Sequence, residues 1–405
     1  MPKGVPEAAQ EGGEQPWLTP GVRGIGTASL LADVGHEIPT SLLPSLLTGT
    51  LGAPAAALGI IEGVADGLAG GARFAGGALA DDPQRRRTIA VGGYATTAIL
   101  SSLIGVANAV WQVAVLRSAA WAARGLRVPA RNALLADVVA PAAYGRAYGF
   151  ERAMDNLGAI IGPLLGIALV ALVGVRDAIL LSIIPGLLAV GAIIYAIRAA
   201  KLPRAVERRP IRIQVRPVLR GRLGRLIGAV GAFELGNIAA TLLILRAIEL
   251  LEPEHGKDVA AQMGLALYTA YNIAATLVSV PAGRAGDRSD PRLVLLAGVG
   301  AFAVAYVVLA VTGPALVLLG VGFMLAGVGI GCVETAEHAA VAALAPENLR
   351  GSAFGMLATV QSLGNFAASA IAGLLWTLAS PAAAFVYAAV WMLLALCALA
   401  AIRGD

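Results

Sequence analysis

The sequence Gly77-Ala-Leu-Ala-Asp81-Asp82-Pro-Gln-Arg85-Arg86-Arg87 begins with a pattern that returns 206 residues later, as Gly283-Arg-Ala-Gly-Asp287-Arg288. The same spacing relates Ala147-Tyr-Gly149-Phe150 to Ala353-Phe-Gly355-Met356, and Leu157-Gly158 to Leu363-Gly364. A single Gly-x-x-x-Asp match is unremarkable in a chain with 50 Gly. Three matches at one spacing indicate an internal repeat, so the sequence predicts two halves of similar structure.

The composition around these repeats excludes a water-soluble protein. Of the 405 residues, 58% are hydrophobic and only 14% are charged, whereas soluble domains carry roughly 25% charged residues. A membrane-spanning helix needs about 20 mostly apolar residues, and the chain holds enough for about twelve. The predicted fold class is therefore an all-α integral membrane protein with twelve transmembrane helices in two pseudo-symmetric six-helix bundles.

Uncharged runs and turn signals such as Gly313-Pro314 and Ser380-Pro381 divide the chain into spans. The twelve predicted spans cover residues 24–50, 55–80, 88–106, 109–138, 147–173, 178–199, 223–249, 260–285, 293–311, 314–342, 352–378 and 382–402. The predicted organisation is a cytoplasmic N-terminal tail (1–22), a first bundle (23–199), a basic cytoplasmic linker (200–222) and a second bundle (223–402).

Basic residues predict the orientation, because Arg and Lys are enriched in cytoplasmic loops. They occur after spans 2, 6, 8 and 10, with ten against one Glu over 198–225, whereas the opposite connections are nearly free of them. Both termini are thus expected in the cytoplasm, and the linker beside anionic lipid headgroups rather than on nucleic acid. The Arg-, Ala- and Gly-rich usage is typical of a GC-rich bacterial genome, which places the protein in the inner membrane.

Two six-helix repeats joined by a cytoplasmic linker resemble the major facilitator superfamily (MFS) of secondary transporters. The stretch from Gly77 to Arg87 is similar to the family's loop signature, with Asp82 where the family has Arg. Gly158-Ala-Ile-Ile-Gly162-Pro163-Leu-Leu-Gly166 resembles the motif of the drug/proton antiporter branch, and Arg117 lies where the family places an intramembrane Arg. The resemblance implies rocker-switch alternating access, a cavity lined by spans 1, 4, 7 and 10, a monomer and no cofactor.

Ionisable side chains at membrane depth are the candidate functional residues, because each costs about 2.5–3.5 kcal/mol on insertion scales. Ion pairs that merely hold spans together are the alternative for each of them. The proton-coupling candidates are Asp33, His36 and Glu37 in span 1 and Glu62 and Asp66 in span 2, with Arg117 as the expected partner of the span 1 acids. The substrate-cavity candidates are Arg117, Trp121, Arg124 and Glu234.

A cytoplasmic gate is predicted from the remaining charges and repeated glycines. Its central hypothesis is that Arg127 or Arg131 of span 4 pairs with Glu334 or Glu337 of span 10. The other predicted gate and motif residues are Gly77, Asp81, Arg85, Arg86, Arg87, Asp155, Gly158, Gly162, Pro163, Gly166, Gly283, Asp287 and Arg288.

The sequence favours a proton-coupled exporter of small amphiphilic, drug-like molecules. Proton-coupled uptake or exchange of a small anionic metabolite, or lipid flipping, stay open. An enzyme is not expected, since no His-Glu-x-x-His or Gly-x-Ser-x-Gly motif occurs. No metal site is expected either, because Cys332 and Cys397 lie in apolar runs and no second His stands at ligand spacing from His36.

Overall fold

The computed structural model describes residues 16–200 and 210–402, and every regular element within these ranges is a helix. Most of the predicted N-terminal tail and the middle of the predicted linker lie outside the described residues. The first half contains α1 (Pro20–Pro44), α2 (Ala55–Leu79), α3 (Pro83–Leu103), α4 (Val110–Asp137), α5 (Tyr144–Leu181) and α6 (Ile183–Ala199). The short α7 (Val215–Val218) precedes the second half, which contains α8 (Gly221–Glu234), α9 (Ala240–His255), α10 (Lys257–Arg288), α11 (Pro291–Val311), α12 (Leu316–Leu344), α13 (Arg350–Leu378) and α14 (Pro381–Ala401).

These helices form twelve spans over the described ranges, as predicted, but two spans differ in detail. The fifth and sixth spans share α5, which is interrupted at Gly174, with φ +83 and ψ 171. A residue without a Cβ adopts this backbone conformation without strain. The sixth span therefore starts directly after Gly174 and continues into α6, with Ser182 between the two helices.

The seventh span, predicted as one helix over 223–249, is broken into α8 and α9 by residues 235–239. The freed backbone groups find partners on α13 and α14. Tyr387 donates its hydroxyl to the Leu235 carbonyl (2.9 Å), Asn365 donates to the Asn237 carbonyl (2.8 Å), and the Ala239 amide donates to Ser369 Oγ (3.0 Å). Non-helical backbone at membrane depth persists only where the protein satisfies it in this way.

Two helices that follow the repeated Gly-x-x-x-Asp motif start alike. Asp82 caps α3 by accepting hydrogen bonds from the amides of Gln84 and Arg85, both at 2.9 Å, and Asp290 accepts from the Arg292 amide at 2.9 Å. In each case proline occupies the first helical position, where its missing N–H costs nothing. Asp82, which stands where the related family has Arg, therefore serves as the cap of α3.

Seven helical segments among the described residues are long and apolar enough to cross a membrane by length and composition, and the segment 141–199 holds two spans. The helices α1, α2 and α4 carry several charged residues each, and the seventh span is broken, so these fall outside that group. Most of their charged side chains contact other polar side chains, which solvate them.

The two halves meet mainly at one end of the bundle, here called the basic end. It holds the connections at 80–82, 138–143, 289–290 and 345–349, together with the segment before α8. The described hydrogen bonds and ion pairs between the halves lie in this part of the bundle, at α2–α13, α5–α10, α5–α12 and the loops beside them. Towards the opposite end, here called the far end, Gly59, Gly63 and Gly67 of α2 have open space where a Cβ would stand.

Candidate functional site

The centre of the first half is a polar face on α1. Asp33 and His36 are buried, and Glu37 keeps 24% of its side chain exposed. Two glycines of α5 bring that helix close to them: an added Cβ on Gly158 would stand 2.7 Å from the Asp33 Cβ, and one on Gly162 would stand 2.4 Å from the Glu37 Cβ. The glycine-rich face of α5 is therefore the surface against which the acids of α1 are packed.

Arg124 of α4 links two of these three α1 side chains. Its Nη2 lies 3.2 Å from Asp33 Oδ1 and its Nη1 lies 2.5 Å from His36 Nε2. His36 in turn lies 3.4 Å from Glu37 Oε1 and 3.6 Å from Asp33 Oδ1. Because 24% of the Arg124 side chain is exposed, this cluster is not completely sealed inside the first half. It contains the three predicted proton-coupling residues of the first span.

A second cluster lies nearer the far end. Arg117 pairs with Glu62 (Nη2 to Oε2, 3.0 Å) and donates to Thr40 Oγ1 (3.0 Å). Its guanidinium stacks 3.5 Å from the centroid of the Trp121 ring, and the Trp121 indole N–H donates to Asp66 Oδ1 (2.8 Å). The expectation that Arg117 pairs with the acids of α1 is therefore corrected: its carboxylate partner is on α2, and Arg124 takes the predicted place beside Asp33.

The predicted pairing of Arg127 or Arg131 with Glu334 or Glu337 is absent among the described residues. Arg131 instead binds Glu151 (2.7 Å) and Asp155 (3.4 Å) within its own half. Arg127 also stays within the first half, with its guanidinium 4.0 Å from the centroid of the Tyr94 ring.

Arg152 is the first-half arginine that approaches Glu334 of the second half. Its guanidinium contacts Glu151 (2.7 Å), Asp155 (3.2 Å) and, more distantly, Glu334 of α12 (3.9 Å). Glu151 also accepts from Ser29 (2.6 Å) and is fully buried. The sequence reasoning missed Glu151, although a charge beside Arg152 at the start of α5 was a usable signal.

In the second half, carboxylates outnumber the cations near them. Glu234 is buried at the end of α8, where it accepts from Asn237 (3.0 Å), and an added Cβ on Gly364 would stand 2.5 Å from its Cβ. Glu337 is fully buried and accepts from Gln361 (2.5 Å). No group of three or more His, Cys, Asp or Glu in the described part of the chain is arranged to hold a metal ion.

The repeated motifs form two matching contacts at the basic end. Asp81 accepts from the amide (2.9 Å) and hydroxyl (2.5 Å) of Ser352 at the start of α13. Asp287 accepts from the amides of Gly145 (2.6 Å) and Arg146 (3.0 Å) at the start of α5, and from Arg146 Nε (2.8 Å). A carboxylate at a helix N-terminus is stabilised by the unpaired amides and the helix dipole. Each half thus holds the first turn of a helix in the other half.

Glycines allow these contacts to form. An added Cβ on Gly77 would stand 2.7 Å from the Gly355 Cα, and one on Gly283 would stand 2.1 Å from the Gly145 carbonyl oxygen. Among the remaining predicted motif residues, Arg86 binds Asp137 (2.5 Å) and the Ala80 carbonyl (2.8 Å), and Arg85 and Arg87 lie half-buried in the first turns of α3. Arg288 is exposed at the end of α10. In α5, Gly166 faces Ser41 and Pro163 lies within the helix.

The sequence profile of the Major Facilitator Superfamily matches residues 25–252 and 250–404. The chain therefore belongs to this superfamily, whose members are transporters of small molecules in membranes and not enzymes. Two curated relatives are an uncharacterized MFS-type transporter of Methanocaldococcus jannaschii (27% identity, covering 90% of each chain) and an uncharacterized protein of Mycobacterium tuberculosis (28% identity, covering 87% of this chain and 85% of the relative).

Solved structures show the same fold at low identity. A bacterial homologue of the iron transporter ferroportin, in an outward-facing state, superposes with a TM-score of 0.76 at 15% identity, over 94% of this chain and 99% of that one. The human organic anion transporter MFSD10 superposes with a TM-score of 0.72 at 16% identity, over 95% of this chain and 100% of that one. The transporter FucP in its outward conformation superposes with a TM-score of 0.69 at 13% identity, over 95% of this chain and 99% of that one.

Proposed function

We propose that this chain is a proton-coupled secondary transporter that exports small amphiphilic molecules by rocker-switch alternating access, acting as a monomer in a cytoplasmic membrane. The observation that carries the proposal is the bridge from Arg124 of α4 to the buried Asp33 and His36 of α1, with the Arg124 side chain itself 24% exposed. A carboxylate in such a place can change its charge and its partner during a transport cycle.

The basic end is assigned to the cytoplasm, because short cytoplasmic loops carry the excess of Arg and Lys. With that orientation, the contacts of Asp81 and Asp287 close the cytoplasmic side. We infer that the halves separate towards the far end, where Gly59, Gly63 and Gly67 of α2 have open space beside them, and that this gap between the halves opens to the outside. The linker between the halves and both termini lie on the cytoplasmic side.

Coupling follows from the ion pair between Arg124 and Asp33. Protonation of Asp33 removes the negative charge that holds the guanidinium, so Arg124 is released towards the gap. Glu37 lies about one helical turn after Asp33 on α1. Both carboxylates contact His36, so Glu37 can pass or receive the same proton. An export cycle would take up a proton from outside in this state and release it after the cytoplasmic side opens.

Export is favoured by the glycine-rich face of α5, which resembles the antiporter motif and packs directly on Asp33 and Glu37. A small anionic metabolite is the second candidate substrate. The observation that favours it is the partial exposure of Arg124, a fixed cation on the wall of the gap. Lipid flipping stays a third possibility through the same gap.

The test is transport into proteoliposomes under an imposed pH gradient, with ethidium as an amphiphilic probe and carboxyfluorescein as an anionic one. We expect gradient-driven ethidium movement, reduced at least tenfold in Asp33→Asn and Glu37→Gln. Asp258→Asn and Glu254→Gln are matched controls, because they make the same chemical changes at exposed positions near the far end.

Each outcome separates the candidates. Gradient-driven movement of carboxyfluorescein alone would favour the anion carrier over the exporter of amphiphiles. Undiminished gradient-driven flux in both acid variants would end the proposal that Asp33 and Glu37 couple protons to transport.

A further inference from the structure

A small, partly enclosed pocket lies inside the first half. It lies between α1, α3, α4 and α6, and its polar lining consists of His36, Tyr94, Thr97, Ser101 and Arg127. The free volume is about 10 Å³ for the centre of a water-sized sphere. Because this is room for the centre of the sphere to move, the cavity holds one water molecule or one monoatomic ion slightly larger than water.

Five polar atoms around this pocket lack hydrogen-bond partners. They are Arg127 Nε, Tyr94 Oη, Thr97 Oγ1, Ser101 Oγ and His36 Nδ1, all buried. His36 Nδ1 also lies 3.6 Å from Asp33 Oδ1, which is beyond hydrogen-bond distance. Buried polar atoms are rarely left unpaired, because the solvation that each loses on burial is then not replaced. Such a concentration of them around one cavity indicates a polar guest, and all five can donate a hydrogen bond to it.

Arg127 makes the pocket positive. Its side chain is 2% exposed, and in the described part of the chain it has no ion pair or hydrogen bond, only the Tyr94 ring 4.0 Å from its guanidinium carbon. The other arginines of α4 each have a carboxylate within 3.4 Å. Asp33, the nearest acid on α1, is already bound by Arg124. A buried guanidinium without its own counterion favours an anion beside it.

The backbone is built close around this site. An added Cβ on Gly93 would stand 2.4 Å from the Arg127 Cβ, and one on Gly186 would stand 2.6 Å from the Ala98 Cβ. An added Cβ on Gly35 would stand 3.0 Å from the Gly186 amide nitrogen. Small residues on three helices thus bring α4 against α3 and α6 against both α1 and α3, and the cavity stays small.

We propose that this pocket binds a single chloride ion. Chloride is monoatomic, accepts hydrogen bonds from all directions and supplies the charge that Arg127 lacks, whereas sulfate or a carboxylate metabolite is too large for the volume. The imidazole of His36 separates the site from the gap, because its other nitrogen contacts Arg124. The ion is therefore a fixed part of the first half that joins α1, α3 and α4, and its presence does not depend on the transported substrate.

The test is the thermal unfolding of purified protein prepared in gluconate and titrated with chloride at constant ionic strength. A ligand that binds the folded state raises Tm in a saturable way. We expect saturation with chloride and with bromide, and no comparable rise with sulfate. Crystals grown in bromide should give an anomalous peak between Arg127 and Ser101.

Two variants identify the site without removing the arginine. Ser101→Ala and Thr97→Val each delete one donor, and we expect the half-saturating chloride concentration to rise at least threefold. Ser102→Ala is the matched control: Ser102 is equally buried on the same helix, but its hydroxyl donates to the Ile99 carbonyl and does not line the pocket. A chloride response that is absent, or is the same in all three variants and the wild type, would mean that the pocket holds only water and would overturn the proposal.

Discussion

Four arginines along α4 meet four different surroundings. Arg117 binds an acid of α2, Arg124 an acid of α1, Arg127 the ring of a tyrosine on α3, and Arg131 two acids of α5. The spacing of seven between Arg117, Arg124 and Arg131 predicted a common stripe, and all three do face other helices of the same half. Their partners could not be predicted, because each depends on the rotation of a neighbouring helix about its own axis.

Replacement of Glu151 should lower the thermal stability of the protein. It accepts from Arg131, Arg152 and Ser29 in a fully buried position, so Glu151→Gln removes the buried charge nearest to both arginines and leaves Asp155 as their shared carboxylate. Breaking such a buried pair costs roughly 3–5 kcal/mol. We expect a fall of several degrees in the detergent-solubilised Tm.

Two comparisons make this result specific. Glu254→Gln, at an exposed position in α9, should leave Tm unchanged. The double variant Glu151→Gln with Arg152→Gln should show a smaller fall in Tm than the sum of the falls in the two single variants, because the second change removes one of the two cations that Glu151 paired with. Equal Tm values for Glu151→Gln and the wild type would show that the network does not stabilise the fold.

Among the helices, a glycine of one helix allows a buried acid of another to approach closely at two equivalent places. Gly158 of α5 lets Asp33 approach, and Gly364 of α13, at the equivalent position of the repeat, lets Glu234 approach. The repeat in the sequence predicted that these glycines correspond. The break between α8 and α9 had no such signal, because it depends on Asn365, Ser369 and Tyr387, which lie more than a hundred residues away and supply the missing backbone partners.

The contact between Asp81 and α13 should control opening of the basic end. Asp81→Asn removes the negative charge from two hydrogen bonds to Ser352 and so weakens them. A hydrogen bond to a charged group contributes about 1.5–3 kcal/mol. A change of 1.4 kcal/mol shifts a two-state population tenfold. We expect the distribution of distances between two spin labels, attached through Gln84→Cys and Glu347→Cys at exposed positions, to show an additional population at longer distance.

This measurement needs a background without native thiols, and Cys332→Ala with Cys397→Ser provides it. Asp258→Asn, an exposed aspartate at the start of α10, is the control and should keep the wild-type distance distribution. An unchanged distribution in Asp81→Asn would mean that Asp81 does not hold the two halves together.

For the molecule as a whole, the sequence could predict the twelve spans and their division into two halves, since apolar runs and the repeat carry that information directly. The cross-half contacts at the basic end were predictable only as motifs, without their partners. Which side of the molecule is open could not be predicted, because both arrangements bury similar surfaces of the same helices.

The orientation is tested by thiol labelling in intact cells. In the background without native thiols, Glu254→Cys at the far end should react with a membrane-impermeant maleimide from outside. Glu347→Cys at the basic end should react only after the membrane is permeabilised. The reverse pattern would place the basic end outside and make the described state open to the cytoplasm.

One contact at the basic end joins two equivalent residues of the repeat. Arg350 donates to the Tyr144 hydroxyl at 2.8 Å, and the two positions are 206 apart, as are Asp81 and Asp287. In an isologous interface, matching residues meet on the two-fold axis and every off-axis contact occurs twice. The closed end of this chain therefore has the form of a homodimer interface between two six-helix units, built within one polypeptide.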